Sequence, residues 1–258
     1  MLINQYMFMA FPKTGTTWVQ YIIRKILVTA LGLDNDMLKY INSLNFIDND
    51  TKESICKIDF WITHGVTNIN KATRHDMNFY KEFWNNDRDL ITIVRNPCDV
   101  LTSLNMHLRY RNDPPLFDGD VNEMVYDDKC GIDPYLFYHE NLYEFMQSRN
   151  KLLAMTYEQL SVNPHLIVRL IADFIHAEIT DDEVDMIVEF CSFDSMKKFE
   201  IEKKYDLHKS GSDQKDNNSF KMREGKIGGY KKHMTEETKA YVIRMTDPIM
   251  SKIYRMVV

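Results

Sequence analysis

The stretch Tyr6–Gly32, YMFMAFPKTGTTWVQYIIRKILVTALG, decides the fold prediction for this chain. Its first six residues form an apolar run that a proline ends after Phe11, a pattern that favours a buried strand. After a loop of glycine and threonine, apolar residues recur at helical spacing as far as Ala30, and Gly32 is a natural helix stop. The stretch therefore predicts a strand, a tight loop and a helix in succession.

The loop between this strand and helix, Phe11–Trp18, has the composition of an anion site. A helix start directs free backbone N–H groups and the positive end of the helix dipole toward one point. Gly15 allows a close approach of the backbone, Lys13 adds a full charge, and the threonines add hydroxyl donors. The alternative is that Gly15 and Thr16 are only turn and N-cap residues. The loop is not a Walker A motif, because its lysine precedes its only glycine.

The same strand-to-helix pattern recurs at Asp89–Val94, which is rich in β-branched residues and leads into a helix ending near Leu108. Further strands are predicted at Asp59–Thr63 and Leu152–Thr156. Apolar strands that alternate with helices predict an α/β fold with a central parallel β-sheet and helices on both faces. No repeat or linker is visible, so we expect residues 1–258 to form a single domain.

Two segments lack a regular pattern and are predicted to be lid loops. One is 111–131, with paired prolines and many acids, and the other is 203–229, which is polar and contains several glycines. Long irregular stretches in a compact domain are typically lids, binding loops or disordered segments. Helices are predicted at 134–148, 163–176, 180–190 and 235–247.

The overall charge excludes some classes of partner. A net charge of −6 and a pI near 5.8 argue against non-specific binding to nucleic acid or to a membrane surface. No apolar stretch approaches the length of a membrane span, and the N-terminus lacks the basic region of a signal peptide. The four cysteines are far apart, which predicts reduced thiols and no metal framework. We therefore expect a cytoplasmic protein.

A second candidate anion site follows the strand Asp89–Val94. Arg95 leaves the strand at its carboxyl end, where open α/β sheets bind ligands. An arginine fork suits a terminal phosphate, and Ser103 follows eight residues later inside the helix. The alternative is a surface arginine and a helix serine that bonds its own backbone.

Taken together, these segments resemble the cytosolic sulfotransferase family. Pro12–Trp18 resembles its 5′-phosphosulfate loop, Pro-Lys-x-Gly-Thr-Thr-Trp, and Arg95 with Ser103 resembles its 3′-phosphate site. Met222–Lys231 resembles its C-terminal motif, Arg-Lys-Gly-x-x-Gly-Asp-Trp-Lys. The matches follow the family's order from about residue 8 to residue 235. The resemblance implies one sulfotransferase domain with a P-loop-like phosphosulfate-binding loop.

The resemblance also implies a donor, 3′-phosphoadenosine 5′-phosphosulfate (PAPS), and a product, 3′-phosphoadenosine 5′-phosphate (PAP). No metal is implied. The donor residues carried over are Lys13, Thr14, Gly15, Thr16 and Thr17 for the 5′-phosphosulfate, Trp18, Tyr157 and Phe193 for the adenine, and Arg95, Ser103, Arg223 and Gly225 for the 3′-phosphate.

The catalytic histidine of the family lies after a strand, in Lys-Thr-His-x-Pro. Thr63 and His64 match that segment, whereas Ile62 replaces the lysine and the proline is missing. His64 is therefore expected to be the general base, because an imidazole titrates near neutral pH. The resemblance assigns Lys13 to the charge that develops on the bridging oxygen, and Ser103 to restraining Lys13 until the acceptor is bound.

The C-terminal motif departs from the family's pattern at three positions. Glu224 replaces lysine, Gly229 replaces aspartate and Tyr230 replaces tryptophan. Glu224 has the largest consequence, because a carboxylate beside a phosphate lowers its affinity unless it points away.

The assembly and the acceptor pocket also differ from the family's pattern. The family's dimer motif, Lys-x-x-x-Thr-Val-x-x-x-Glu, keeps Lys231 and Thr235 but loses its valine and glutamate, so a monomer or a different dimer is expected. The first strand begins near residue 6, whereas similar enzymes carry a longer N-terminal segment. We therefore expect a more open or differently built acceptor pocket.

The sequence leaves several functions open. The main prediction is an enzyme that transfers a sulfuryl group to the hydroxyl of a phenol, catechol, steroid or alcohol. The alternatives are a nucleotide-binding protein without transferase activity, a P-loop kinase, and an enzyme that sulfates an alcohol and then eliminates the sulfate. The acceptor itself is not specified by these motifs.

Overall fold

A computed structural model describes most of the chain. The described residues are 5–40, 46–47, 54–56, 59–63, 87–111, 114–205, 220 and 222–258.

The centre of the fold is a four-stranded parallel sheet with the strand order β4-β1-β5-β6. The predicted parallel sheet is therefore confirmed. The first strand ends at Met9, two residues earlier than the apolar run suggested, because Ala10 and Phe11 continue the chain into the loop. The strands are β1 Gln5–Met9, β4 Asp59–Thr63, β5 Asp89–Val94 and β6 Leu152–Thr156. A separate antiparallel pair, β2 Phe46–Ile47 and β3 Ser54–Cys56, was not predicted.

Nine α-helices surround the sheet within the described residues, and short 3-10 helices lie at Asn35–Tyr40 and Gly229–Lys232. They are α1 Thr16–Ala30, α2 Pro97–Tyr110, α3 Val121–Met124, α4 Ile132–Gln147, α5 Tyr157–Val162, α6 Pro164–Phe174, α7 Asp181–Phe190, α8 Phe193–Ile201 and α9 Glu236–Tyr254.

Both faces of the sheet are covered, as the sequence predicted. Side chains alternate along β1, so that Tyr6 and Phe8 join one buried cluster while Met7 and Met9 join the other. The first cluster contains apolar residues of α1, α6 and α7, and the second contains those of α2, α4 and α9. The carboxyl ends of the strands are left for the loops that carry the candidate site.

The helix predictions differ from the structure mainly in bounds and in short helices. α9 continues through Pro248 to Tyr254, beyond the predicted end at residue 247. Packing outweighs the hydrogen bond lost at the proline, because Met250 and Ile253 beyond it are buried. The short helices α5 and α8 were not predicted, and α3 lies inside the first predicted lid loop.

α3 begins with a capping box in which Asp120 and Glu123 each accept a backbone N–H from the other. Residues 112–113 of the first predicted lid loop, and residues 206–219 and 221 of the second, lie outside the described residues. No helix in the described part of the chain is long and apolar enough to cross a membrane.

Candidate active site

The segment Phe11–Trp18, called the N-terminal loop below, connects β1 to α1 in a tight conformation. Lys13 and Gly15 both have left-handed backbone angles, with φ of 72° and 104°. A Cβ atom at Gly15 would lie 2.8 Å from the ring of Tyr157, so glycine is needed for both the conformation and the close approach. No side chain caps the start of α1 from Gly15. The first amides of α1 therefore remain available to an anion.

Hydrogen bonds within the N-terminal loop fix its shape. The hydroxyl of Thr14 donates to the carbonyl oxygen of Phe11 at 2.7 Å, and the hydroxyl of Thr16 donates to the same oxygen at 3.3 Å. Thr14 is fully buried beneath the loop. Its side chain is engaged in holding the loop together.

Arg95 lies between the N-terminal loop and Met222–Lys232, called the C-terminal loop below. Its Nη1 atom donates to the carbonyl of Lys13 at 3.2 Å, and its Nη2 atom donates to the carbonyl of Lys226 at 3.1 Å. The guanidinium also lies over the ring of Tyr157, 4.0 Å from the ring centre. Arg95 therefore connects the two loops that were predicted to bind opposite ends of one nucleotide.

The C-terminal loop is held mainly by two acidic side chains from other elements. Asp99, in the first turn of α2, accepts the backbone N–H groups of Gly228 at 2.7 Å and Tyr230 at 3.1 Å. Glu200 of α8 accepts the N–H of Met222 at 2.9 Å. Asp99 was not predicted as a site residue, because an acid in the first turn of a helix is already expected from the helix dipole.

Arg223 and Glu224 face each other in the wall of the C-terminal loop, with Nη1 of the arginine 3.4 Å from Oε1 of the glutamate. Glu224 therefore does not point away from the predicted phosphate contact. A Cβ atom at Gly225, where φ is 62°, would lie 2.5 Å from the ring of Phe193. This contact lets the backbone of the loop pack directly on an aromatic ring.

An aromatic slot lies beside the two loops. The rings of Trp18 and Tyr157 meet edge to face with their centres 5.7 Å apart. Together with Phe193 they line a second cavity of about 280 Å³, whose wall also includes buried Cys191. Burial is the main reason that the pKa of the Tyr157 hydroxyl is raised, so this group stays protonated and can donate a hydrogen bond. A flat apolar slot with one hydroxyl donor suits a purine base.

The main cavity, of about 330 Å³, brings the predicted donor residues together. Thr14 is the exception, for the reason given above. The residues that share its wall are Lys13, Gly15, Thr16, Thr17, Trp18, Arg95, Ser103, Tyr157, Phe193, Arg223 and Gly225.

The charge of this cavity favours a polyanion. Its cationic side chains, which come from both loops, from Arg95 and from Arg111 at the C-terminal cap of α2, outnumber its carboxylates, Asp99 and Glu224. Among the residues that the structure describes, no group of three or more histidine, cysteine, aspartate or glutamate side chains is placed to hold a metal ion.

His64, the predicted base, lies outside the described residues. The strand before it is described, and its last residue, Thr63, pairs with Met9 of β1. The chain therefore leaves β4 beside the point where β1 leads into the N-terminal loop.

Comparison with known proteins identifies the family. Residues 4–254 match the model of the sulfotransferase domain, so the chain belongs to this family of enzymes. Sulfotransferase 2A6 of Mus musculus is 27% identical over 248 residues, which cover 90% of this chain and 80% of that protein. An amine sulfotransferase of Oryctolagus cuniculus is 24% identical over 234 residues, covering 88% and 74%. The predicted family and enzyme class are confirmed.

Solved structures support the same fold. Retinol dehydratase, crystallised with androsterone and the inactive cofactor PAP, superposes with a TM-score of 0.65 at 15% identity, covering 97% of this chain and 81% of that one. Mouse sulfotransferase SULT7A1, complexed with PAP, gives a TM-score of 0.58 at 16% identity, covering 97% and 86%.

Proposed function

We propose that this protein transfers a sulfuryl group from PAPS to the hydroxyl of a small molecule and releases PAP. One observation carries the proposal. Segments far apart in the sequence, the N-terminal loop, the Arg95–Ser103 region and the C-terminal loop, line one cation-rich cavity beside an aromatic slot. A nucleotide with an anion at both its 3′ and 5′ positions matches that arrangement. PAP, present in the crystals of the structural neighbours, has this chemistry.

The proposal places the 5′-phosphosulfate at the N-terminal loop, where Lys13 and the first amides of α1 face the cavity. The adenine occupies the slot of Trp18, Tyr157 and Phe193. The 3′-phosphate lies between Arg95 and Arg223. Phosphate is a stronger acceptor for a guanidinium than a carbonyl is, so we expect it to replace at least one of the two carbonyl contacts of Arg95.

In the proposed reaction, His64 removes the proton of the acceptor hydroxyl. The oxygen then attacks sulfur in line, a new S–O bond forms, and the bond from sulfur to the 5′-phosphate breaks. Lys13 stabilises the charge that moves onto the departing phosphate oxygen, and Ser103 positions Lys13. The backbone N–H groups of the N-terminal loop act with Lys13 in this step, and no metal ligand is called for.

The proposal also covers the domain organisation, the lid loops, the oligomeric state and the class of acceptor. Residues 1–258 form one domain, segments 111–131 and 203–229 serve as lid loops, and the protein is a monomer or a dimer that does not use the family's motif. The small-molecule acceptor is a hydroxyl compound, and the site needs no nucleic acid or membrane.

A titration with PAP tests the donor site. PAP in the presence of EDTA should raise the thermal midpoint in a concentration-dependent way, because it binds only the native state. ADP, which lacks the 3′-phosphate, should raise the midpoint much less. Equal shifts with PAP and ADP, or no shift with either, would contradict the proposed site.

The variant His64→Ala tests the catalytic step. We expect it to bind PAP normally and to lose about 100-fold or more in turnover of PAPS with a simple phenol, a usual contribution for a general base. Product analysis distinguishes a stable sulfate ester from an elimination product. Near-normal turnover in His64→Ala would remove His64 as the base, and PAP binding without donor consumption by the wild type would indicate a binding protein.

A further inference from the structure

The chain segments that follow β5 and β6 contact each other at two points beyond the sheet. Pairing between the two strands extends to the last residue of each. Arg95 follows β5 directly, and its guanidinium lies 4.0 Å from the ring centre of Tyr157, which follows β6 directly. One residue further along both segments, the carboxylate of Glu158 accepts the backbone N–H of Asn96 at 3.0 Å. Two successive residues of one segment therefore hold two successive residues of the other.

The hydrogen bond to Glu158 acts on the backbone of Arg95. The N–H of Asn96 belongs to the planar peptide unit that begins at the carbonyl group of Arg95. An acceptor that holds this plane restrains the backbone at Arg95, and so the point from which its side chain enters the cavity. Glu158 is itself held in place, because Thr156 and Gln159 form a capping box in the first turn of α5.

This restraint matters most when an anion binds Arg95. In the structure the guanidinium donates to the carbonyls of Lys13 and Lys226, and the residue is 9% exposed. The proposed 3′-phosphate replaces at least one of these carbonyls. The contacts from the sheet, the ring of Tyr157 and the backbone held by Glu158, then keep the guanidinium directed at the phosphate. Direction is important because hydrogen bonds between a guanidinium and a phosphate depend on geometry.

Asn96 extends the same support to the C-terminal loop. Its side-chain oxygen accepts the backbone N–H groups of Cys98 at 3.0 Å and Asp99 at 3.4 Å, and thereby caps α2. The carboxylate of Asp99 in turn accepts two N–H groups of the C-terminal loop. A displacement of Asn96 therefore affects both Arg95 and the C-terminal loop, which together form the proposed 3′-phosphate site.

We propose that Glu158 is a positioning residue for the 3′-phosphate. By holding the amide of Asn96 it keeps Arg95 between the adenine slot and the phosphate, while Glu158 itself does not line the cavity. The inference rests on the proposed function, because it takes the 3′-phosphate as the ligand of Arg95. It predicts that Glu158 contributes to the recognition of the 3′-phosphate and not to the recognition of the rest of the nucleotide.

Two ligands that differ only in the 3′-phosphate test the proposal. They are PAP and adenosine 5′-monophosphate (AMP), each titrated by calorimetry, with AMP at high concentration because it should bind more weakly. The ratio of the Kd for AMP to the Kd for PAP measures what the 3′-phosphate contributes. Glu158→Ala should lower this ratio by about 10-fold with the AMP affinity unchanged, an effect typical of the loss of one hydrogen bond to a charged group.

Conservative changes at the same position sharpen the test. Glu158→Gln keeps an oxygen acceptor for the amide of Asn96 and should retain most of the ratio. Glu158→Asp withdraws the carboxylate by one methylene group and should lower the ratio, so it replaces the alanine variant if that variant does not fold.

Gln159→Ala is the matched control. Gln159 is the next residue of α5, and its side chain accepts the N–H of Thr156 at 2.8 Å in the capping box. Its removal loosens α5 without removing the contact with Asn96. Gln159→Ala should therefore lower the thermal midpoint and keep the ratio of the two Kd values.

A double-mutant cycle shows whether Glu158 acts through Arg95. Arg95→Met should lower the ratio by itself. If Glu158 only positions Arg95, adding Glu158→Ala to Arg95→Met should lower the ratio no further. Independent losses that add in the double variant would contradict the positioning role.

The outcomes separate this inference from the proposed function. If the wild type binds PAP and AMP equally, the proposed function fails and the inference falls with it. A preference for PAP that Glu158→Ala leaves intact overturns the inference alone. An equal loss of the ratio in Glu158→Ala and Gln159→Ala would assign the effect to the stability of α5 and would also overturn it.

Discussion

The two loops of the candidate site share a contact with Arg95 and are otherwise held in different ways. The N-terminal loop stabilises itself, because Thr14 and Thr16 donate to the carbonyl of Phe11 within the same loop. The C-terminal loop depends on other elements, since Asp99 of α2, Glu200 of α8 and Arg95 bind its backbone.

This difference matches what the sequence reveals about each loop. The N-terminal loop is specified by adjacent residues, so its motif is recognisable from a few letters. The C-terminal loop is held by residues outside it, some of them more than 100 positions away, such as Asp99 for Gly228. Its own residues depart from the family's pattern at several positions, while the contacts from other elements hold the loop in place. The comparison predicts that changes in the N-terminal loop act on catalysis and changes in the C-terminal loop act on nucleotide affinity.

The largest effect on kcat is expected from Lys13→Met, and Lys226→Met is the matching change in the C-terminal loop. Each loop contributes one of these lysines to the cavity wall. Lys13→Met should lower kcat by about 100-fold or more, because it removes charge stabilisation in the transition state. Lys226→Met should mainly raise the Kd for PAP, by less than about 10-fold. Steady-state kinetics and calorimetry measure both, and equal losses of kcat would contradict the division between the loops.

The stability of the protein is expected to depend on pH through His139, a buried residue that packs against the N-terminal loop. Phe11 packs against His139, which is fully buried and donates its Nδ1–H to the carbonyl of Tyr135 at 2.8 Å. Burial lowers the pKa of His139 to about 4. The unfolded chain, with a pKa near 6.5, therefore binds more protons between these values, so stability falls as the pH drops from about 6.5 to about 4.

The loss should approach about 3 kcal/mol, the free energy that corresponds to this pKa difference. Urea denaturation at several pH values measures it. His139→Gln should remove this part of the pH dependence. Any other effect of the substitution on the free energy of unfolding should be about the same at every pH. An unchanged pH profile in His139→Gln would show that His139 does not cause it.

A smaller effect is expected from Asp99→Asn, which weakens the attachment of the C-terminal loop. The amide keeps one acceptor, but its NH₂ group faces a second backbone donor. Hydrogen bonds to a charged group contribute about 1.5–3 kcal/mol, so the Kd for PAP should rise by about 10-fold or more while kcat changes less. Calorimetry measures the affinity.

Asp133→Asn is the control for Asp99→Asn. Asp133 is an exposed acid in the first turn of α4, at a similar position relative to a helix dipole, and it does not line the site. It should leave PAP affinity unchanged. A comparable loss of PAP affinity in both variants would indicate that Asp99→Asn acts by destabilising a helix and not by weakening the attachment of the C-terminal loop.

The smallest effect is expected from Glu224→Lys, which restores the family's residue in the C-terminal loop. Removing the carboxylate that faces Arg223 should raise PAP affinity by up to about 10-fold, with Glu224→Gln in between. Because this group is partly exposed, the gain should shrink as salt is added. Unchanged or weaker binding in Glu224→Lys would mean that Glu224 does not oppose the 3′-phosphate.

The sequence predicted more of the fold than of the contacts that hold the two loops of the candidate site. β4, β5 and β6 have the predicted bounds, because their apolar runs are short and bounded by polar residues or turns. α8 was missed because nine residues with mixed polarity give a weak helical pattern. α9 was predicted too short, since it continues through Pro248, where tertiary packing outweighs the lost hydrogen bond.

The candidate site was predicted where a motif is local. Gly15 and Gly225 were identified from their motifs, and the structure adds the reason for each: a Cβ atom would meet the ring of Tyr157 or of Phe193. Asp99 and Arg111 were not assigned to the site. An acid at a helix start and an arginine at a helix end are ordinary features of any helix.

The sequence by itself determined the α/β class, the family and the tight loop between β1 and α1, because these depend on periodicity and on adjacent residues. Only the tertiary structure decided that Arg95 joins both loops, that Asp99 holds the C-terminal loop and that Arg111 faces the cavity. The physical reason is that such contacts form between side chains and backbone groups far apart in the chain, whose meeting is fixed by the packing of helices on the sheet.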